Sequence, residues 1–347
     1  MMLSVLIIGC GNIAGGFDIA SKPGSLPRTH AGAYAEHGQF SMQACIEPDD
    51  HRRAAFMARW NIAAGYASFE QLVAANGMAN HAEPFDIVSI CSPTSCHHHD
   101  VEQALGLSPK LIFCEKPVTG NLQQSQHAVQ LCSDQGVQLA VNHNRRWDPD
   151  VARLREQLKV GYWGSIRSVT GQYNKGVLNN GSHMVDLLQN LLGPLTLRDC
   201  GLPSFDYLST DPSIPASLVS SNGVPVTLSC GNAGDFSLFE LQLVTQRGVI
   251  AMEDGGLHWR TRLSAPSLQF SGYQALAEGQ VVGGRYFASM PNAVANIYQA
   301  VTTGEALAST GDSALEAQFL CQAMLARSLE LSAATSVPGE MLAPQKR

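Results

Sequence analysis

Short apolar runs alternate with segments of helical spacing through the first two-fifths of the chain. The runs are VLIIG (5–9), FSMQACI (40–46), FDIVSIC (85–91), LIFC (111–114) and VQLAV (137–141). Each is bounded by glycine, proline or polar residues, and helical patterns fall between them at 49–59, 68–75, 98–106 and 121–135. That alternation predicts βαβ units and a parallel sheet. The unbroken apolar character of several runs predicts a sheet covered by helices on both faces.

The pattern changes after Trp147-Asp148-Pro149. A helix is predicted near 150–158, then an extended GSIRSVTGQY, then a helix over 181–192. Asn222-Gly223 between two β-rich runs predicts a tight hairpin. FSLFELQLV, VIAME and LHWRTR, separated by QRG and DGG, read as successive antiparallel strands. FSLFELQLV carries apolar residues on both sides, which predicts two buried faces. Helical spacing returns at 292–302 and 312–331, with Asp312 as the expected cap. The pattern therefore reads as α/β: a parallel-sheet domain at 1–146, then an α+β domain with a mostly antiparallel sheet at 147–347.

Composition narrows the partners. The chain has 347 residues, 45% hydrophobic and 15% charged, with a formal charge of −7, the profile of a soluble globular protein. No basic run offers a surface to nucleic acid. The start, MMLSVLIIGCGNIAGG, lacks the basic head and cleavage site of a secretory signal, and no stretch nears the ~20 apolar residues that span a bilayer. Nine cysteines without CxxC spacing suit a reducing cytoplasm, and Cys91 and Cys96 around SPTS read as coincidence.

Gly9-Cys10-Gly11-Asn12-Ile13-Ala14 is a GxGxxA turn placed directly after the first strand. The first glycine permits the turn, the second admits a pyrophosphate to the backbone, and the small third residue allows close helix packing. Glu47 after the second strand is placed to accept hydrogen bonds from an adenosine ribose. Its distance from the glycines exceeds the usual ~20 residues because FDIASKPGSLPRTH (17–30) reads as a loop inserted early in the first helix. These features call for NAD. Arg52 and Arg53 behind Glu47 keep NADP as the alternative.

Glu115-Lys116-Pro117 follows the run LIFC at its C-terminal end, where open α/β sheets bind ligands. A lysine there can polarise a substrate oxygen as the ammonium, or take its proton as the free amine if its pKa is lowered. GCGNIA, Glu47, SPTSCH (92–97), EKP (115–117), RRWDP (145–149) and NNGSHMVDLLQNLLG (179–193) occur in an order and spacing that resembles the glucose–fructose oxidoreductase / inositol dehydrogenase family (Gfo/Idh/MocA). The resemblance implies a Rossmann domain, an open-faced sheet domain, a bound nicotinamide cofactor, and hydride transfer at a sugar, nucleotide-sugar or polyol carbon.

Carried onto this chain, the resemblance makes Lys116 and His183 catalytic. It gives cofactor contacts to Gly9, Gly11, Asn12, Ile13, Ala14, Glu47, Ser92, Pro93, Thr94, His97, Glu115, Lys116 and Pro117. Asp186 matches the family acid three residues after the histidine and lies with Asn179 and His183 around the substrate, while Asn144, Arg146 and Trp147, past the run VQLAV, read as a substrate rim. The family usually has aspartate where this chain has Asn179; an amide orients a hydroxyl but cannot take its proton. Helical spacing puts 179, 183 and 186 on one face, and Asn179 reads equally as the cap of that helix. Trp147 reads equally as packing. His97, His98 and His99 do not form a metal site, since consecutive residues diverge. The expected partners are a carbohydrate-like small molecule and further copies of the chain, as a homodimer or homotetramer through the second-domain sheet. Two rivals share the motifs: a NAD-dependent glycosidase and a cofactor-binding regulator without turnover.

Overall fold

The computed structural model describes residues 1–22, 24–78 and 85–335. Residues 336–347 of the expected second domain, and Pro23 of the inserted loop, lie outside that description. Two compact units divide the chain: 1–162 with 283–318, and 163–282 with the residues from 319 on. The expected division at 146/147 thus falls later, and the first unit takes back a segment from far down the chain.

The first unit opens β1 (Leu3–Ile8), α1 (His30–His37), β2 (Phe40–Ile46), α2 (Asp50–Trp60), β3 (Ala64–Tyr66), α3 (Phe69–Met78), β4 (Ile87–Ile90) and α4 (His97–Leu105). It continues with β5 (Leu111–Cys114), α5 (Leu122–Asp134), β6 (Gln138–Val141) and α6 (Pro149–Lys159). All six strands pair in parallel in the order β3-β2-β1-β4-β5-β6. That order reverses at β1/β4, the crevice where doubly wound sheets bind ligands. The strand β3 was not predicted: AGY is too short and too small to show a period. Strands β4 and β5 are buried throughout, as their unbroken apolar runs require.

The inserted loop is visible as a splice. Ile13 and Ala14 oxygens accept bonds from the amides of His30 and Ala31, 3.2 and 2.9 Å away. The helix begun after the glycine turn therefore resumes in α1 with 17–29 looped out. Buried Asp18 fastens the loop, accepting from the Arg28 and Thr29 amides at 3.0 and 3.1 Å.

The second unit contains β7 (Ile166–Tyr173), α7 (Gly181–Leu192), β8 (Leu195–Cys200), β9 (Ser204–Leu208), β10 (Asp211–Ser213), β11 (Ala216–Ser220) and β12 (Pro225–Cys230). Then come β13 (Phe239–Thr245), β14 (Gly248–Glu253), β15 (His258–Pro266), β16 (Gln274–Leu276) and β17 (Gln280–Gly283). Its main sheet runs β16-β15-β14-β13-β7-β12-β11-β8, with β17 beside β15. Strands β7 and β12 pair in parallel, while β8–β11, β11–β12, β7–β13, β13–β14, β14–β15 and β15–β16 pair antiparallel. The hairpin at Asn222-Gly223 joins β11 to β12, with Gly223 at φ +78. In β13 the inward Phe239, Leu241 and Leu243 are buried, while Glu240 and Gln242 on the other face are not. Within one chain the strand is covered on one face only, with the alternation of a half-covered strand.

Helix α8 (Ser289–Thr303) belongs to the first unit because Met290, Ala293, Val294 and Ile297 join the core built on Leu3, Val5, Ile7, Phe113 and Trp147. Helix α9 (Gly311–Thr335) begins one residue before the expected cap. Thr310 and Ser313 bond each other reciprocally, Ser313 N–H to Thr310 Oγ1 at 3.2 Å and Thr310 N–H to Ser313 Oγ at 3.0 Å. They close its first turn, so Asp312 lies inside the helix rather than at its cap. Among the described residues no helix is long and apolar enough to cross a membrane.

Candidate active site

The glycine turn leaves β1 at the carboxyl edge of the sheet. Gly9 has φ +82, and a Cβ there would stand 2.7 Å from the Ser92 nitrogen. The close approach of this turn to the loop after β4 therefore requires glycine. At Gly11 a Cβ would meet nothing within 4 Å. The backbone there borders open space, as a cradle for a pyrophosphate must. Ala14 is fully buried, and beside it a Cβ on Gly15 would strike the Trp60 indole at 2.2 Å. The packing role expected of the third motif position is shared by these two residues.

Glu47 follows β2 and is 5% exposed. Its Oε2 accepts from the Cys10 amide at 3.0 Å, and its Oε1 from the Asp49 amide at 3.1 Å. The carboxylate is thereby fixed against the glycine turn, with lone pairs to spare for a ribose hydroxyl. Arg52 reaches Oε1 at 3.4 Å, and Arg53 donates to the Glu47 carbonyl at 2.6 Å. Both guanidiniums thus lie against Glu47.

Ser92, Pro93 and Thr94 form the turn after β4, and His97 opens α4. The His97 ring is 1% exposed, with Nδ1 2.9 Å from the Pro117 oxygen and Nε2 2.9 Å from the Ser92 oxygen. It braces the two loops from inside, a different placement from the ligand-facing one expected. Ser92 donates to buried Asp100 at 2.5 Å. Burial holds the Asp100 carboxyl above its ordinary range, against the Ser92 bond and the His97 charge.

Lys116 follows β5, half-buried, and its peptide to Pro117 is cis. Glu115 beside it ends a buried polar chain. His30 Nε2 lies 3.0 Å from Glu115 Oε1, and His30 Nδ1 lies 2.7 Å from Ser89 Oγ. Tyr34 Oη lies 3.2 Å from Ser89 Oγ, and the Asn142 amide donates to Glu115 Oε1 at 2.6 Å. One direction of donation satisfies the chain: Tyr34 to Ser89, Ser89 to His30, and His30 with Asn142 to Glu115. Burial opposes ionisation of Glu115, but the His30 bond, Asn142 and the Lys116 ammonium outweigh it and hold its carboxyl below the usual range. Sequence reasoning missed His30, Ser89, Tyr34 and Asn142. The signal available was Ser89, a hydroxyl in an otherwise apolar strand that had to find a partner.

The segment 144–147 is a tight turn. Trp147 is 5% exposed; its indole donates to Asn296 at 2.9 Å and its ring meets Phe113 edge-on at 6.0 Å. The substrate-rim expectation for Trp147 is thus corrected to core packing. Arg146 donates to the Ala308 carbonyl at 3.3 Å, and Asn144 to the Tyr286 hydroxyl at 2.8 Å.

In the second unit, His183 and Asp186 lie one turn apart on α7, His183 half-buried and Asp186 1% exposed. Asn179 precedes them in a widened turn, Gly176–Asn180. The N-cap residue of α7 is Asn180, whose side chain makes no capping bond. Asp211 of β10 takes the amides of Leu178 and Asn179 at 2.8 and 2.9 Å. The cap reading of Asn179 therefore gives way to a carboxylate from a distant strand. Gly176, at φ +89, is required there because a Cβ would stand 2.1 Å from Asp211 Oδ2.

Parallel strand order, glycine turn, an acid after β2 and loops gathered at the carboxyl edge define a dinucleotide-binding unit. Residues 3–143 match the model of the oxidoreductase family with an NAD-binding Rossmann fold (GFO_IDH_MocA). The resemblance read from the motifs is borne out. Inositol 2-dehydrogenase of Rhizobium meliloti is 28% identical over 170 residues, 48% of this chain and 49% of that protein. The match thus spans about half of that relative's length. D-glucoside 3-dehydrogenase of Escherichia coli is 23% identical over 74% of this chain and 69% of that protein. Levoglucosan dehydrogenase, solved in complex with NADH, superposes with a TM-score of 0.77 at 14% identity, over 95% of this chain and 98% of that one. The fold is shared along nearly the whole chain.

Proposed function

We propose that the protein is an NAD(P)-dependent oxidoreductase acting on a CH–OH carbon of a sugar, nucleotide sugar or polyol. The observation that carries this reading is the carboxyl edge of the parallel sheet. There the glycine turn, Glu47 and Lys116 stand on adjoining loops, and Glu115 beside the lysine is held ionised by a buried histidine. The names of the relatives, an inositol and a glucoside dehydrogenase, supply the substrate class. The open backbone at Gly11 and the fixed carboxylate of Glu47 fit a dinucleotide.

The nicotinamide, when bound, carries the hydride. Gly9 and Gly11 admit the pyrophosphate, and Glu47 orients the ribose. Glu115 keeps a negative charge beside Lys116, and the lysine ammonium is the donor to the substrate oxygen. His183 is assigned the accompanying proton transfer, and Asn144, Asn179 and Asp186 the orientation of substrate hydroxyls. The second unit would bind the carbohydrate. It would also pair copies of the chain into a homodimer or homotetramer through its half-covered sheet face, a claim that light scattering tests. Free cysteines, all nine unbridged, accord with a cytoplasmic location.

The test is turnover with NAD on a panel of inositols, glucosides and nucleotide sugars. Lys116→Ala should lower turnover on the active substrate by ~10²–10³, with NADH affinity within a few-fold of wild type, because one preorganised donor is lost. His183→Ala should lower turnover comparably. Near-normal turnover of Lys116→Ala would overturn the assignment.

A further inference from the structure

The three consecutive histidines at the start of α4 point three ways. His97 turns inward to the loop carbonyls, and His99 is exposed. His98 turns toward α5 and meets His127, with its Nε2 3.1 Å from His127 Nδ1. Glu102, one turn along α4, has its Oε2 3.7 Å from His98 Nδ1. One donor atom each from His98, Glu102 and His127 can be chosen so that all lie within 4.8 Å of one another.

From this juxtaposition we propose that His98, Glu102 and His127 form a binding site for a zinc-class divalent cation. Two nitrogens bound to one tetrahedral zinc at ~2.0–2.1 Å stand about 3.3 Å apart, close to the observed 3.1 Å. Without an ion, the facing nitrogens hold together only while one of them alone carries a proton; two lone pairs or two N–H groups would repel. A cation accepts both lone pairs at once. The donor set discriminates among metals: two imidazoles and one carboxylate suit zinc and its neighbours, whereas calcium and magnesium take oxygen ligands. His98 and Glu102 at i and i+4 share one face of α4, so only His127 must come from elsewhere. Their side chains are 23% and 40% exposed, which leaves room for solvent to complete the coordination. The ion would tie α4 to α5. Because α4 opens with His97, the tie would stiffen the helix that braces the loops after β4 and β5.

The experiment uses the full chain, stripped with a chelator and titrated calorimetrically with zinc chloride. The wild type should bind one strong equivalent in the micromolar range and melt at a higher temperature with zinc than without. His98→Ala and His127→Ala should each weaken that equivalent by about tenfold or more, and Glu102→Gln by several-fold. All three variants should melt like the wild type in chelator, since none of the three residues is buried. Cobalt in place of zinc should show visible ligand-field bands without a thiolate charge-transfer band, which separates this site from any cysteine site. Absence of micromolar binding, binding unchanged by His127→Ala, or a thiolate band on the strong equivalent would each overturn the proposal.

Discussion

The carboxyl edge of the parallel sheet and the start of α7 place their candidate residues by different means. At the sheet edge, each residue sits within a few positions of the strand that presents it: Gly9 after β1, Glu47 after β2, Ser92 after β4, Lys116 after β5. The hydrogen bonds that refine these positions run between neighbouring strand ends, such as Glu47 to Cys10. At α7, the turn that leads to His183 is held by Asp211, thirty-two positions on from Asn179. A strand end needs only its own apolar run to be located. A widened helical turn needs a partner from elsewhere, because its leading N–H groups have no carbonyl of their own turn to bond.

The comparison is sharpened most by removing the distant partner. Asp211→Ala strands two N–H groups that now bond a buried carboxylate, and hydrogen bonds to charged groups contribute ~1.5–3 kcal/mol each. Chemical denaturation should therefore show a loss of about 3 kcal/mol or more. NADH affinity, a property of the first unit, should stay within a few-fold. Weakened NADH binding with unchanged stability would break the distinction between the two regions.

A smaller effect belongs to the buried chain behind Lys116. Glu115 titrates below its ordinary value in the folded protein, so its contribution to stability is full above the unfolded value of about 4.3. It is lost as pH falls through the depressed folded value. Glu115→Gln should thus cost about 1.5 kcal/mol at neutral pH. The gap from wild type should shrink on acidification below about pH 4. A gap that stays constant from neutral to acid pH would show that Glu115 is not held ionised by His30.

The smallest expected effect is on cofactor choice. Glu47 repels a 2′-phosphate, while Arg52 and Arg53 attract one. The carboxylate is the more buried and the better fixed, so NADH should bind about tenfold more tightly than NADPH, or ~1.4 kcal/mol. Glu47→Ser should narrow that gap. Equal affinities in a fluorescence titration of the wild type would assign the choice to the arginines.

Periodicity and turn chemistry are local, and they were enough for the parallel sheet, the glycine turn, the inserted loop, the Asn222-Gly223 hairpin and the bounds of α7. The motifs likewise placed Lys116 and His183 in a known family order. What only the tertiary structure decided depends on residues brought together from far apart. The return of 283–318 to the first unit follows from an apolar face on α8 that fits the core around Trp147, and no local pattern says which core a helix will join. The same holds for His30 behind Glu115, Asp211 under Asn179, and His127 opposite His98. A side chain's partner across the fold is chosen by packing, and a polar group once buried must bond whatever that packing sets beside it.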